Sequence, residues 1–246
     1  MRLRVYVALS PVVVAMMAAV PAQAVPFTLD IYADGTLLET VDNSDLGCTD
    51  TGTFTTECSA TDLAYSNGSY TALRINSIDL QLDSDPLVDG NIAVSNEQGF
   101  TQRFTFVFTL PISSIPGATI QSGSISGSVA DGFEGDGATI SAPAGEAIYQ
   151  ARIDGVDTNA LHADPASFSA PAFDIGSIPA ASFGPLLGGP ALTNIELELD
   201  FYLTSFDSVQ ITSEHQVEPV PEPASGAMVA LGLALLAARR RTTHRG

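Results

Sequence analysis

The chain has 246 residues, with 28 acids against nine arginines, no lysine, and a formal charge of −19. Without lysine, a P-loop or a Schiff-base mechanism is excluded. A strongly negative body also excludes phosphate backbones as partners, so no nucleic acid binding is expected.

Residues 1–24, MRLRVYVALSPVVVAMMAAVPAQA, have the parts of a secretory signal. Arg2 and Arg4 form a basic start, residues 5–20 an apolar run, and Ala22 and Ala24 a small-residue cleavage site for signal peptidase. Setting these residues aside, with everything from Glu222 onward, leaves 27 acids against three arginines. Self-repulsion at that charge favours solubility.

The exported body shows a period of two. FTLDIYADGTLLETV (27–41) alternates through Phe27, Leu29 and Ile31, then turns at Asp34-Gly35, a hairpin signal. Residues 42–71 read as a loop carrying Cys48 and Cys58. In an oxidising compartment this pair forms one disulfide most simply. Two buried thiols or half of a metal site are the alternatives, though no histidine lies near enough in sequence to favour zinc. LRINSIDLQLD (73–83) places Ile78, Leu80 and Leu82 on one face. Residues 84–99 read as a second loop. QRFTFVFTLPI (102–112) aligns Phe104, Phe106, Phe108 and Leu110. GEAIYQARIDG (145–155) runs into another Asp-Gly turn, and 154–192, rich in Pro, Ala and Gly, reads as a third loop. TNIELELDFYLTSF (193–206) turns Ile195, Leu197, Leu199, Phe201 and Leu203 inward, with Glu196, Glu198 and Asp200 expected in water. SVQITSE (208–214) reads as the last strand, followed by a linker over 214–219.

No body window has a 3.6-residue period, so the prediction is all-β. It is one domain over 25–213, an antiparallel β-sandwich or jelly-roll-like fold. A signal helix precedes it, and a single transmembrane helix follows.

Catalytic motifs are absent. There is no HExxH and no GxSxG; GSISG (123–127) has its serine one place late. His162 reads as an exposed loop histidine and His215 as a linker residue. No tryptophan offers a sugar-stacking platform, though Tyr65, Tyr70 and Tyr149 remain. No enzymatic activity or tightly bound cofactor is expected. Calcium is the most defensible ligand: DSDPLVDGN (83–91) offers Asp83, Asp85 and Asp89, and DGFEGDG (131–137) offers Asp131, Glu134 and Asp136. Neither stretch fits the EF-hand register, and Asp and Gly are ordinary turn residues.

The last segment, 220–246, has its own logic. Val220-Pro221-Glu222-Pro223 forms an extended stretch, because two prolines fix φ and remove two donors. Residues 224–238 carry no charge; as a helix they span about 22 Å, short of the roughly 30 Å hydrocarbon core. Arg239, Arg240, Arg241 and Arg245 follow, a cluster that stays cytoplasmic and stops transfer.

This order of signal, body, proline motif, short apolar helix and arginines resembles the PEP-CTERM sorting domain proteins. The resemblance implies that Pro221, Glu222 and Pro223 are read by exosortase, a membrane-embedded cysteine protease. It also implies transient residence at the inner membrane, then release to the cell envelope or exterior, in an exopolysaccharide or biofilm context. The body is then expected to be structural or adhesive. A carbohydrate-binding module or hydrolase, and a calcium-dependent adhesin, are the alternatives. N-terminal sequencing of the protein from its native host is expected to begin at Val25; retention of Arg2 and Arg4 would overturn the signal assignment.

Overall fold

Alternating apolar residues on β-branched and aromatic frames favour pleated strands that bury one face. A computed structural model of the protein describes residues 26–51, 55–67, 70–83 and 85–220. Fifteen strands follow in chain order. The first eight are β1 (Thr28–Ala33), β2 (Thr36–Asp42), β3 (Thr49–Asp50), β4 (Thr55–Asn67), β5 (Tyr70–Asp83), β6 (Leu87–Asn96), β7 (Gln102–Pro111) and β8 (Thr119–Ala130). The rest are β9 (Ala138–Ser141), β10 (Ala147–Ile153), β11 (Val156–Ala163), β12 (Ser167–Ala170), β13 (Ile175–Gly188), β14 (Asn194–Leu203) and β15 (Ser208–Pro219).

Their pairing is antiparallel, in two sheets. One has the order β11-β10-β14-β7-β1-β2, with β9 and β12 added beside β14; the other has the order β13-β8-β15-β6-β5-β4-β3. The inner faces share one apolar core, with Phe104, Phe106 and Phe201 from the first sheet and Ile78, Val94 and Ile211 from the second. Phe201 stacks on Phe106 at 6.1 Å and meets Phe104 edge-on at 6.2 Å. Such contacts add about 0.5–1.5 kcal/mol each beyond area burial. Both expected Asp-Gly hairpins form: Asp34-Gly35 and Asp154-Gly155 have the positive φ values, 47° and 75°, 52° and 74°, that a type I′ turn needs.

Several expected loops are strands. Residues 42–71 contain β3, β4 and the start of β5; 84–99 contain β6; 154–192 contain β11, β12 and β13. The edge strands β11 and β13 show weak alternation because only part of each faces the core, and backbone pairing holds them instead, whereas β6 is interior and Asp89-Gly90-Asn91 interrupts its apolar pattern. β13 carries Pro179 and Pro185, and its register against β8 shifts between Ile178 and Ala181 and again between Phe183 and Leu186. Proline is tolerated on such an irregular edge because the missing donor is not required there. His162 is on β11 rather than in a loop, and its Nε2 lies 2.9 Å from the Pro179 carbonyl, joining the two sheet edges.

The linker expected at 214–219 is instead the end of β15, a central strand flanked by β8 and β6. His215 and Val217 continue the inward alternation, but a histidine hides the pattern from a hydrophobicity reading. His215 is fully buried, and its Nδ1 donates to the Glu196 carbonyl at 3.1 Å across the sheets. Tyr149, also buried, donates its hydroxyl to the Glu214 carbonyl at 2.7 Å. Gly123 of β8 makes room for this arrangement, since a Cβ there would lie 2.4 Å from the Tyr149 hydroxyl and 2.5 Å from the Phe183 ring.

Asp200, expected in water, is buried beneath Arg103, which holds it through Nε at 2.9 Å and Nη2 at 2.5 Å. Arg103 also pairs with Glu146, Arg152 with Glu198 and Asp157, and Arg74 with Asp62 and Glu97. Each body arginine thus clamps two carboxylates. Cys48 and Cys58 form a disulfide. The signal segment with Ala22 and Ala24, the motif residues Pro221, Glu222 and Pro223, the apolar stretch and the arginine cluster lie outside the described residues.

Burial lowers the pKa of His215 from 6.5 to about 4, although its bond to the Glu196 carbonyl opposes the shift. The unfolded chain therefore takes up a proton below pH 6.5 that the native state refuses, so this group costs stability as pH falls toward 4. Between pH 7 and pH 4 the stability of the protein relative to its His215→Leu variant is expected to drop by about 3 kcal/mol. Urea denaturation at both pH values checks this; a pH-independent difference would contradict it.

Candidate functional site

Strand register places four connections at one end of the molecule. Ser208 pairs with Ala130 and Ser95, Ile175 with Ala130, and Leu203 with Gln102. Residues 97–101, 131–137, 171–174 and 204–207 therefore converge there. Pro219 pairs with Thr119 at the opposite end.

Buried polar side chains build this loop end. Asn96 points its Nδ2 at the carbonyls of Phe100, Leu203 and Thr204, at 2.8, 3.1 and 3.0 Å, and accepts the Gln98 N–H through Oδ1. Asp207 accepts the Gly132 N–H at 3.0 Å and the Thr204 hydroxyl. Burial pushes the Asp207 carboxyl above its ordinary range, and the nearby charges of Asp131 and Asp136 reinforce that; the Thr204 and Gly132 bonds oppose it. Asp131 holds the Gly137 N–H at 3.0 Å with one oxygen and the Phe173 N–H at 2.6 Å with the other.

On this frame sit exposed rings. Phe133 and Phe173 are each 73% exposed, and Phe100 and Ile175 are also exposed. Phe133 packs on Phe206 at 4.9 Å. Phe173 and Phe206 adopt φ of 56° and 54°, the left-handed region that a bulky side chain avoids. Each costs about 1–2 kcal/mol and persists because the surrounding bonds over-determine it. Gly135, itself at φ 69°, admits the Phe173 ring, which would lie 2.1 Å from a Cβ there.

The expected calcium ligands divide between places. Asp131, Glu134 and Asp136 belong to this loop end, where both Asp131 oxygens accept backbone N–H groups and Glu134 meets the Ser205 hydroxyl at 3.4 Å. Asp83 closes β5 and accepts the Asp85 N–H at 3.0 Å, while Asp89 lies in β6. Among the described residues no three His, Cys, Asp or Glu side chains assemble as a metal-binding group.

A second concavity, about 460 Å³, lies on the outer face of the sheet containing β15. Glu57, Asp79, Gln81, Asp89, Asn91 and Thr212 line it, without an aromatic ring. Acids in a groove and exposed aromatic rings, which together would mark a sugar-processing cleft, are thus separated in space. Sequence reading passed over the phenylalanines and the buried Asn96 and Asp207. A bulky residue following Pro-Ala in a turn, as Phe173 does, was the available signal.

Asp207→Ala strands the Gly132 N–H, leaves the Thr204 hydroxyl only its Thr139 partners, and is expected to cost about 1–3 kcal/mol. Chemical denaturation checks it, and Glu134→Ala, whose contact is long and exposed, serves as the near-neutral comparison.

Residues 219–241 match the family model of the PEP-CTERM protein-sorting motif. A sequence search among curated proteins returns no match. Among solved structures, the chain is similar to the enzymatically active domain of tailspike protein 4 from bacteriophage CBA120. The identity is 13% and the TM-score 0.25, over 79% of this chain and 19% of that one, too loose a likeness to transfer fold or activity. The motif begins inside the folded body: Pro219 ends β15, and the Val220 N–H bonds to the Ala118 carbonyl at 3.0 Å. This chain thus carries a PEP-CTERM protein-sorting motif, the signal of an exported protein that an exosortase processes.

Proposed function

We propose that this protein, freed of its signal by signal peptidase, is a non-enzymatic component of the cell envelope or extracellular matrix. Its loop end opposite the tail contacts exopolysaccharide. The observation that carries the reading is the pair Phe133 and Phe173, held exposed on a hydrogen-bonded frame, one of them in a strained backbone. Phenyl rings offer flat apolar area to the C–H face of a sugar at low conformational cost. The body, with 27 acids against three arginines, repels anionic polymers, so a neutral glycan is the favoured class. The position fits the route of export: the sorting motif leaves one end, and the rings stand at the other.

Replacing Pro221, Glu222 and Pro223 by alanine is expected to abolish tail processing, read by mass spectrometry of the product; unchanged processing would overturn the sorting step. For the body, Phe133→Ala with Phe173→Gly is expected to keep stability within about 1 kcal/mol, since Gly relieves the left-handed backbone. The same variant is expected to lose retention on the host's own exopolysaccharide in a pull-down, and undiminished retention would remove the distal contact.

A further inference from the structure

The end from which the tail departs has a composition unlike the rest of the body. Residues 111–121 and 184–193 contain no charged side chain. Both segments belong to this end, because Gly188 and Pro219 pair with Thr119, and the Ile112 N–H bonds to the Thr193 carbonyl. Leu187 is 82% exposed there, with Leu186, Leu192 and Val156 exposed beside it. Asp154 is turned to structural use, accepting the N–H groups of Leu192, Thr193 and Asn194 at 2.8, 2.7 and 3.1 Å. Asp157, next to Val156, is paired with Arg152; Asp42, Asp45, Asp83 and Asp85 lie on the β2, β4 and β5 flank, and Glu218 is on the outer face of its sheet.

The tether then limits where this surface can go. β15 is paired to β8 as far as Pro219 and held on the β6 side as far as Val217, whose N–H bonds to the Pro86 carbonyl, and Val220 is still bonded to Ala118. The uncharged stretch starts at Ala224. Four residues span at most about 14 Å when fully extended. A bilayer that takes in residues 224–238 is therefore held against this end of the body.

We propose that, before processing, the Leu186, Leu187, Leu192 and Val156 surface rests on the outer leaflet of the bilayer that holds the tail. The inference rests on the sorting reading and adds to it the orientation of the cargo. Apolar side chains enter the boundary between headgroups and acyl chains, while the acids of the opposite flank stay in water. Pro221, Glu222 and Pro223 are then presented at a fixed height, without slack on the body side. The rings of Phe133 and Phe173 point away from the membrane.

The test uses the full chain, with its Cys48–Cys58 disulfide intact, in nanodiscs of phosphatidylethanolamine and phosphatidylglycerol. An environment-sensitive fluorophore is attached in the Leu187→Cys variant and, separately, in the Phe133→Cys variant. The label at 187 is expected to emit at shorter wavelength and to be quenched several-fold by nitroxide lipids; the label at 133 is expected to behave as in water. Equal emission and quenching at the two sites in disc-bound protein would overturn the docking while leaving the sorting reading intact. A chain that does not enter discs would overturn the membrane role of the tail, and the docking with it.

Discussion

β15 is the constraint on which the rest depends. It is an interior strand of its sheet, paired along its whole length to β8 on one side and through Gln216 to β6 on the other. Removing it would break two ladders at once and expose the inward row of Val209, Ile211, His215 and Val217. The same strand begins in the loop end that bears the exposed phenylalanines and ends at Pro219, within the sorting motif. The two ends of the protein are thus joined by one strand that cannot slide.

Polar groups inside the core reinforce this. Tyr149 and His215 each donate a hydrogen bond between the sheets to a backbone carbonyl. Such bonds add little net energy when made, yet leave costly unpaired groups when lost. They fix the register of β15 against β10 and β14 more sharply than apolar packing alone. Gly123 is part of that register, since any side chain there collides with Tyr149 and Phe183.

A body of this charge must place its few cations with care. Arg74, Arg103 and Arg152 each bridge two carboxylates, and the buried Asp200 is held by two bonds from Arg103 and one from the Thr105 hydroxyl. Removing one partner of such a pair leaves an uncompensated charge. The remaining acids repel one another across the surface. Two segments beside the tail, 111–121 and 184–193, carry no charge at all.

Much of the secondary structure was legible in neighbouring residues. Phe104, Phe106, Phe108 and Leu110 announce β7, Ile195 to Leu203 announce β14, and both Asp-Gly turns form where the dipeptides stand. The cysteine pair and the succession of proline motif, apolar stretch and arginines were also readable, because short spacing and covalent order are properties of adjacent residues. Strands such as β4, β6 and β13 were not: β13 is an edge strand carrying two prolines, while β4 and β6 are interior strands rich in small and polar residues, with Asp89-Gly90-Asn91 interrupting the apolar alternation of β6. Nor could the chain alone show that Asp200 and Asp207 are buried while Phe133 and Phe173 are exposed, the reverse of their polarity. Those assignments arise where segments up to a hundred residues apart meet. Only the pairing of β6, β8, β14 and β15 decides which loops share an end, and hence which surface carries the rings and which faces the tail.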